Sequence, residues 1–172
     1  MARSIDVCER HISHVARQFN IPIGILYSVA LTETGRKGAL EPFAINVDGA
    51  PNYPATMTEA VRIVRDAQRR GASTIDVGCM QINLRYHGAN FQTLEQMFEP
   101  SRNVAYAGRF LRDLRGREAD WTRAVARYHA GANNHPAQRR YICSVVRNLV
   151  AAGLGNWTES ARTLCQETSA KR

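Results

Sequence analysis

Lysine is nearly absent from this chain: Lys37 and Lys171 stand beside 21 arginines. No hydrophobic run approaches the roughly 20 residues that a bilayer-spanning helix needs. The longest, Ile21 to Leu31, has eleven residues and is interrupted by Pro22, Gly24 and Ser28. Nor does that run read as the core of a signal peptide, because Asp6 and Glu9 precede it and Thr-Glu-Thr follows where a small-residue cleavage site belongs. An exported form is therefore expected to have lost its signal. The four cysteines, Cys8, Cys79, Cys143 and Cys165, show no metal-ligand spacing, which argues against a zinc site. They leave open buried thiols or two disulfides in any of three connectivities. Low-complexity tracts, internal repeats and linkers are all missing. With 44% hydrophobic residues over 172 positions, this excludes global disorder and predicts one domain, 1–172, with a core at about 5–150 and a polar tail at 153–172.

The charge balance is one-sided. Twenty-three basic against 15 acidic side chains give a formal net charge of +8, which predicts a polyanionic neighbour. Nucleic acid, an anionic membrane face and an acidic cell-wall polymer all satisfy that condition.

Helical periodicity dominates the pattern. Ile5, Cys8, Ile12, Val15 and Phe19 recur at three- and four-residue intervals, predicting a first helix that ends near Asn20. Pro22 suits the first turn of a second helix that closes at Thr34-Gly35 and places Glu33 in its last turn. Gly35 to Pro54 reads as a long irregular segment with turn signals at Asp48-Gly49 and Asn52-Tyr53-Pro54. Thr56 and Glu59 form a capping-box pattern opening a helix that ends before Gly71, with Arg62, Arg65, Arg69 and Arg70 on its polar face. Ser73 to Asn83 reads as extended or a weak hairpin. Further helices are expected over Ser101 to Leu114, Asp120 or Trp121 to Tyr128, and Pro136 to Val150, with a final helical turn near Ser160 to Gln166.

Three polar clusters interrupt apolar surroundings: Glu33-Thr34-Gly35, Gly78-Cys79-Met80-Gln81-Ile82-Asn83, and Tyr128-His129-Ala130-Gly131. A carboxyl at the end of an apolar helix loses solvent and feels the negative end of the helix dipole. Both effects favour its protonated form, which suits a general acid near neutral pH. Asp48 and Asp76 are the carboxylates near the clusters that offer a second such group, although turn and loop structure accounts for both. His11 and His14 have helical spacing but lack a third ligand, so no metal is expected. Trp121 reads as core, and Tyr86 as core or a stacking platform.

In order and spacing, the three clusters resemble the soluble lytic transglycosylase (SLT) domain of the lysozyme-like superfamily. Phe98 to Val104 and Ala107 to Leu111 look like that family's next helix start and helix, so the likeness covers residues 8–150. The Thr-Glu-Thr-Gly-Arg and Asp-Val-Gly-Cys-Met-Gln-Ile-Asn wording is closest to small proteobacterial members associated with flagella and secretion or conjugation systems.

The resemblance implies a mainly α, goose-type lysozyme-like domain with a small extended or hairpin segment beside the cleft. It implies Glu33 as the single catalytic acid/base and Tyr128 as the tyrosine that hydrogen-bonds the catalytic carboxyl. Thr34, Asn46, Met80, Gln81, Asn83 and His129 would join Tyr128 in binding sugar. His129 replaces a common Asn of the family, and Cys79 a common Leu. The favoured disulfides are Cys8–Cys79, tying the first helix to the cleft wall, and Cys143–Cys165.

The expected function is peptidoglycan cleavage with formation of a 1,6-anhydromuramyl product. The expected setting is the periplasm, as a monomer without cofactor or metal, with a flagellar or secretion-system component as a partner. Two alternatives remain: a lysozyme-like hydrolase of the same fold, and, remotely, a nucleic-acid-binding or adaptor protein using Arg62 to Arg70. The Arg-rich helix lacks interleaved aromatics, and no nucleic-acid-binding signature is present, so nucleic acid is not an expected partner.

Overall fold

The computed structural model describes residues 7–36, 39–130 and 134–169; Ile5 of the first apolar stripe, Lys37, Gly131 of the third cluster and Lys171 lie outside them. Helix α1 (Val7–Gln18) buries Cys8, Ile12, Val15 and Ala16, as its stripe predicts. Pro22 caps α2 (Ile23–Thr34), which is apolar on nearly every face. Such a helix is stable only when surrounded, and α1 and α8 (His135–Ala151) pack on two of its sides. Tyr27 Oη donates to Glu9 Oε1 at 2.7 Å across the first contact. Asn148 Nδ2 donates to Thr32 Oγ1 at 2.9 Å across the second. Glu33 is thereby carried at the end of a rigid, buried rod.

Two further long helices close the layer around that rod. Helix α6 (Pro100–Arg117) lies against α1, and α7 (Trp121–His129) links it back to α8. Gly108 permits the close approach of α6, since a Cβ there would sit 2.3 Å from Val15 Cγ1. Trp121 packs partly buried against the core.

The remaining elements build the opposite wall. Strands β1 (Ile45–Val47), β2 (Ala50–Asn52), β3 (Ile75–Val77) and β4 (Ile82–Asn83) form one antiparallel sheet in the order β2-β1-β3-β4. The stretch read as irregular between Gly35 and Pro54 therefore contains a hairpin. Its turn is the anticipated Asp48-Gly49, with φ of 48° and 90°, the left-handed pair that matches hairpin twist. Three-residue strands holding Pro51 and two asparagines carry too little alternation to be read as strands. Helix α3 (Met57–Arg69) starts at Thr56, whose Oγ1 accepts from Glu59 N, and its arginine face is exposed as expected.

Register sorts the sheet into two faces. Ile45 pairs with Val77 and Val77 with Ile82, all buried in the core. Asn46 pairs with Asp76 and Asp76 with Asn83, so these three share the other face. Two short helices, α4 (Leu84–His87) and α5 (Leu94–Phe98), follow, capped by the side chains of Asn83 and Thr93. Neither is long enough to show a 3.6-residue period. The polar C-terminal stretch carries α9 (Glu159–Ser169), longer than the single turn expected.

The architecture is mainly α with a small antiparallel sheet, as the resemblance implies. The cysteines pair as Cys8–Cys79 and Cys143–Cys165. The first joins α1 to the segment between β3 and β4 across a sequence separation of 71, and the second joins α8 to α9 across 22. From the loop-closure entropy removed from the unfolded chain, losing them should cost about 4 and about 3 kcal/mol respectively. Denaturant unfolding of Cys8→Ser/Cys79→Ser and Cys143→Ser/Cys165→Ser should place the first double variant below the second; the reverse order contradicts the entropic account.

Candidate active site

The segment Val77–Gln81 is tied to its surroundings by every residue. Asn103 of α6, fully buried, donates through Nδ2 to Val77 O at 3.0 Å and Met97 O at 2.7 Å, and accepts from Met80 N at 2.9 Å. Gly78 has φ of 80°, and a Cβ there would lie 2.3 Å from Asn103 Nδ2, so only glycine fits. Cys79 is bonded to Cys8, and its carbonyl accepts from Thr34 Oγ1 at 3.0 Å. Met80 O accepts from Tyr128 Oη at 2.9 Å. Gln81 is held at φ of 46° while its Nε2 donates to Ala44 O and Gly78 O, at 3.1 and 3.2 Å. A non-glycine left-handed residue is strained, and here two hydrogen bonds offset that strain.

These contacts revise three expected roles. Thr34 is buried and fastens the end of α2 to the cleft wall instead of facing sugar. The Met80 side chain is wholly buried, and both its backbone polar groups are already bonded. Tyr128 does not reach the Glu33 carboxyl; its hydroxyl is spent on Met80 O. The tyrosine that does is Tyr141 of α8, whose Oη donates to Glu33 Oε1 at 2.5 Å. Tyr141 lies 108 residues from Glu33, in a helix outside the three polar clusters.

Glu33 is partly buried, and its chemistry follows from that placement. Burial pushes its carboxyl from the ordinary 4.5 up to about 7; the Tyr141 hydrogen bond opposes the rise and the charge of Asp76 adds to it. Burial in turn drives the Tyr141 hydroxyl well above its ordinary range, with Glu33 contributing next, so Tyr141 remains a donor. A donor at Oε1 leaves the carboxylic proton on Oε2, the oxygen free to face a substrate. His129 stacks on the Tyr141 ring at 4.3 Å and 4° and holds it in place. Burial lowers the His129 imidazole below its usual range, against the pull of Asp76, which keeps the ring neutral near pH 7.

On the sheet side, Asn46, Asp76 and Asn83 line the face turned away from the core. Asn46 Oδ1 accepts from Gly49 N at 2.8 Å, which fixes the hairpin turn and leaves its amide NH2 for a ligand. Asn83 Oδ1 caps α4 through Arg85 N and Tyr86 N, so its Nδ2 must donate, and it does so to Asp76 Oδ1 at 2.7 Å. Asp48 is consumed elsewhere, accepting from Ser73 and Thr74 in an exposed turn. Tyr86 is 72% exposed and therefore not core. Among the described residues no cluster of three or more His, Cys, Asp or Glu is placed to hold a metal ion. No helix among them is long and apolar enough to cross a membrane.

A desolvated, protonatable carboxyl at the end of a buried helix, in a mainly α fold with a small antiparallel sheet, is the arrangement of a lysozyme-like domain. The sequence matches the Transglycosylase SLT domain family over residues 11–144, and the chain belongs to that family. Lytic transglycosylase-type activity on peptidoglycan comes with that membership. No curated protein and no solved structure matches the chain.

Two outcomes follow from the carboxyl's environment. In Tyr141→Phe the opposing hydrogen bond is gone, so the alkaline limb of the pH–activity profile should move above about 7; a limb that moves down would contradict the assigned donor. An acid raised on folding stabilises the fold only while protonated, so its contribution is present below 4.5 and is lost as pH rises through about 7. Glu33→Gln should therefore unfold at higher temperature than the parent at pH 8 and lose that advantage at pH 4, measured by thermal melts.

Proposed function

We propose that this protein is a lytic transglycosylase that cleaves the β-1,4 bond between N-acetylmuramic acid and N-acetylglucosamine in peptidoglycan, with Glu33 as its one acid/base. The observation that carries the reading is the Glu33 carboxyl, raised to about 7 by burial and oriented by Tyr141. Near neutral pH such a group gives up a proton readily and recovers it as readily.

Protonated Glu33 donates to the glycosidic oxygen, and the C1–O bond breaks with its electron pair on the departing N-acetylglucosamine. The substrate's own acetamido oxygen supports the electron-poor C1, a substrate-assisted route that needs no nucleophilic carboxylate. Ionised Glu33 then takes the proton of the muramyl C6 hydroxyl as that oxygen bonds to C1. The 1,6-anhydro ring closes and Glu33 is protonated again. The amide of Asn46, the free carbonyl oxygen of Gln81 and the outer face of His129 supply groups for hydroxyl and acetamido recognition, while Asn83 supports the wall they stand on.

The protein acts in this reading as a single-domain monomer in the periplasm, without cofactor. It opens the wall locally for an envelope-spanning machine such as a flagellum or a secretion system, a setting supported by the wording of its first two sequence clusters. The +8 surface favours a polymer that carries carboxylates on its peptide stems and lactyl groups. A nucleic-acid role has no comparable support.

The test is mass spectrometry of products from purified cell wall. Anhydromuropeptides, one water lighter than hydrolytic products, are expected, and Glu33→Gln should lower the rate by at least about a hundredfold. Reducing-end products alone would identify a hydrolase instead, and an active Glu33→Gln would remove Glu33 from the chemistry.

A further inference from the structure

Arg36 is the first side chain after the helix that carries Glu33, and its placement is fixed more firmly than a loop residue requires. Gly35 N donates to Leu31 O at 3.0 Å, and a Cβ on Gly35 would lie 2.4 Å from that oxygen, so only glycine lets the chain leave α2 this closely. Arg36 then exchanges both backbone hydrogen bonds with Ala39, at 2.8 and 3.0 Å. Its guanidinium lies over the ring of Tyr53, with Cζ 4.7 Å from the centroid. Pro51 of β2 pairs with Asn46 and so shares the sheet face of Asn46, Asp76 and Asn83; Tyr53 is the next position of that alternation, just past the strand. A cation–π contact thus joins the end of the Glu33 helix to the edge of the sheet.

The seated guanidinium keeps its hydrogen-bonding capacity. Glu41 comes closest, at 3.8 Å from Nη1, an ion pair too long for a hydrogen bond. Among the described residues the five N–H donors of Arg36 make no side-chain hydrogen bond, and the side chain is 48% exposed. Arg65, Arg102 and Arg112 differ, since each spends a donor on a carboxylate at 3.2 Å or less. An arginine oriented by an aromatic ring, with its fork unspent, is arranged to take a carboxylate bidentately.

We propose that Arg36 is a substrate-recognition residue that binds a carboxylate on the side arm of the muramyl sugar, so that the enzyme selects glycan strands by their anionic substituents. The inference rests on the reading of peptidoglycan as the polymer cut at Glu33. Arg36 stands three positions beyond Glu33, which limits the separation of their Cα atoms to about 11 Å, and a four-residue peptide stem extends roughly 14 Å from its sugar. The side arms next to the bond being cut therefore come within its reach. Two groups offer this chemistry: the carboxylates of the peptide stem, and the lactyl carboxylate where the stem has been removed. Arg36 forms no covalent bond and moves no proton. It holds a charge that is the same in the ground and transition states, so it acts on KM and not on kcat.

Arg36→Gln keeps length and polarity but removes the charge and the fork. On purified cell wall it should raise KM roughly tenfold with kcat within about twofold. Arg36→Lys, which retains the charge alone, should fall between the two. Capping the carboxylates of the wall as neutral methylamides, by carbodiimide coupling, removes the ligand instead, and on that wall the KM of the parent should rise to the level of Arg36→Gln. Equal KM for parent and Arg36→Gln on native wall overturns the proposal, as does a tenfold gap that persists on capped wall, because such a gap would come from structure and not from a carboxylate. Should Arg36→Gln fail to fold, the parent decides alone: an unchanged KM on capped wall overturns the proposal. Strands stripped of peptides by an amidase keep only the lactyl carboxylate; a gap retained on them identifies the lactyl group as the ligand, and a gap lost identifies the stem. A parent that leaves native wall uncut sinks the reading of peptidoglycan cleavage, whereas a parent that cuts it, with Arg36→Gln its equal, sinks only the carboxylate role.

Discussion

Everything in the cleft depends on one buried amide. Asn103 spends all its near-wall hydrogen bonds on Val77, Met80 and Met97, and in doing so sets the path of the chain through Gly78 to Gln81. The neighbours of that path come from five directions: α1 through the Cys8 disulfide, α2 through Thr34, α6 through Asn103, α7 through Tyr128, and the segment before β1 through Ala44. A buried polar side chain satisfied by backbone groups is worth little in net free energy, but leaving those groups without partners is expensive. The chain from Val77 to Gln81 therefore has one low-energy course, and α2, which carries Glu33, is fastened to it at Thr34.

That fastening is what gives Glu33 its properties. A carboxyl at the end of a mobile helix would turn to solvent and titrate normally. Here α2 is enclosed by α1 and α8, and its last turn cannot rotate without breaking the contacts to Cys79 and Tyr141. Burial is the dominant cause of the raised carboxyl, and Tyr141 tempers it. The balance leaves an acid that is neither permanently protonated nor permanently ionised near neutral pH. His129 contributes at one remove, through the stacked ring of Tyr141.

The disulfides serve the two halves of this arrangement. Cys8–Cys79 holds the wall to the helical layer, and Cys143–Cys165 anchors α9 to the helix that carries Tyr141. The abundant arginines act at longer range. Several are paired on the surface, as Arg65 with Glu95 and Arg102 with Glu99, and such exposed pairs add little stability. Their summed positive field reaches further from the surface than any single pair.

The sequence by itself determined the helices long enough to repeat an apolar stripe, the place of Glu33 at the end of the most hydrophobic one, and the family through three ordered clusters. These are local patterns, and helical period and motif order survive in one dimension. It did not reveal the hairpin at Ile45–Asn52, whose strands are too short to alternate, or the short helices α4 and α5. It also put the wrong tyrosine on the acid, because Tyr128 stands in a recognisable cluster and Tyr141 in an ordinary helix stripe. Which hydroxyl meets Glu33, that Met80 and Thr34 are buried, and that Asp76 shares a sheet face with Asn46 and Asn83 while Asp48 closes a turn were decided only by the tertiary structure. Each depends on groups distant in sequence that meet through helix packing and strand register, and a titrating carboxyl responds to that surrounding matter, not to its neighbours in the chain.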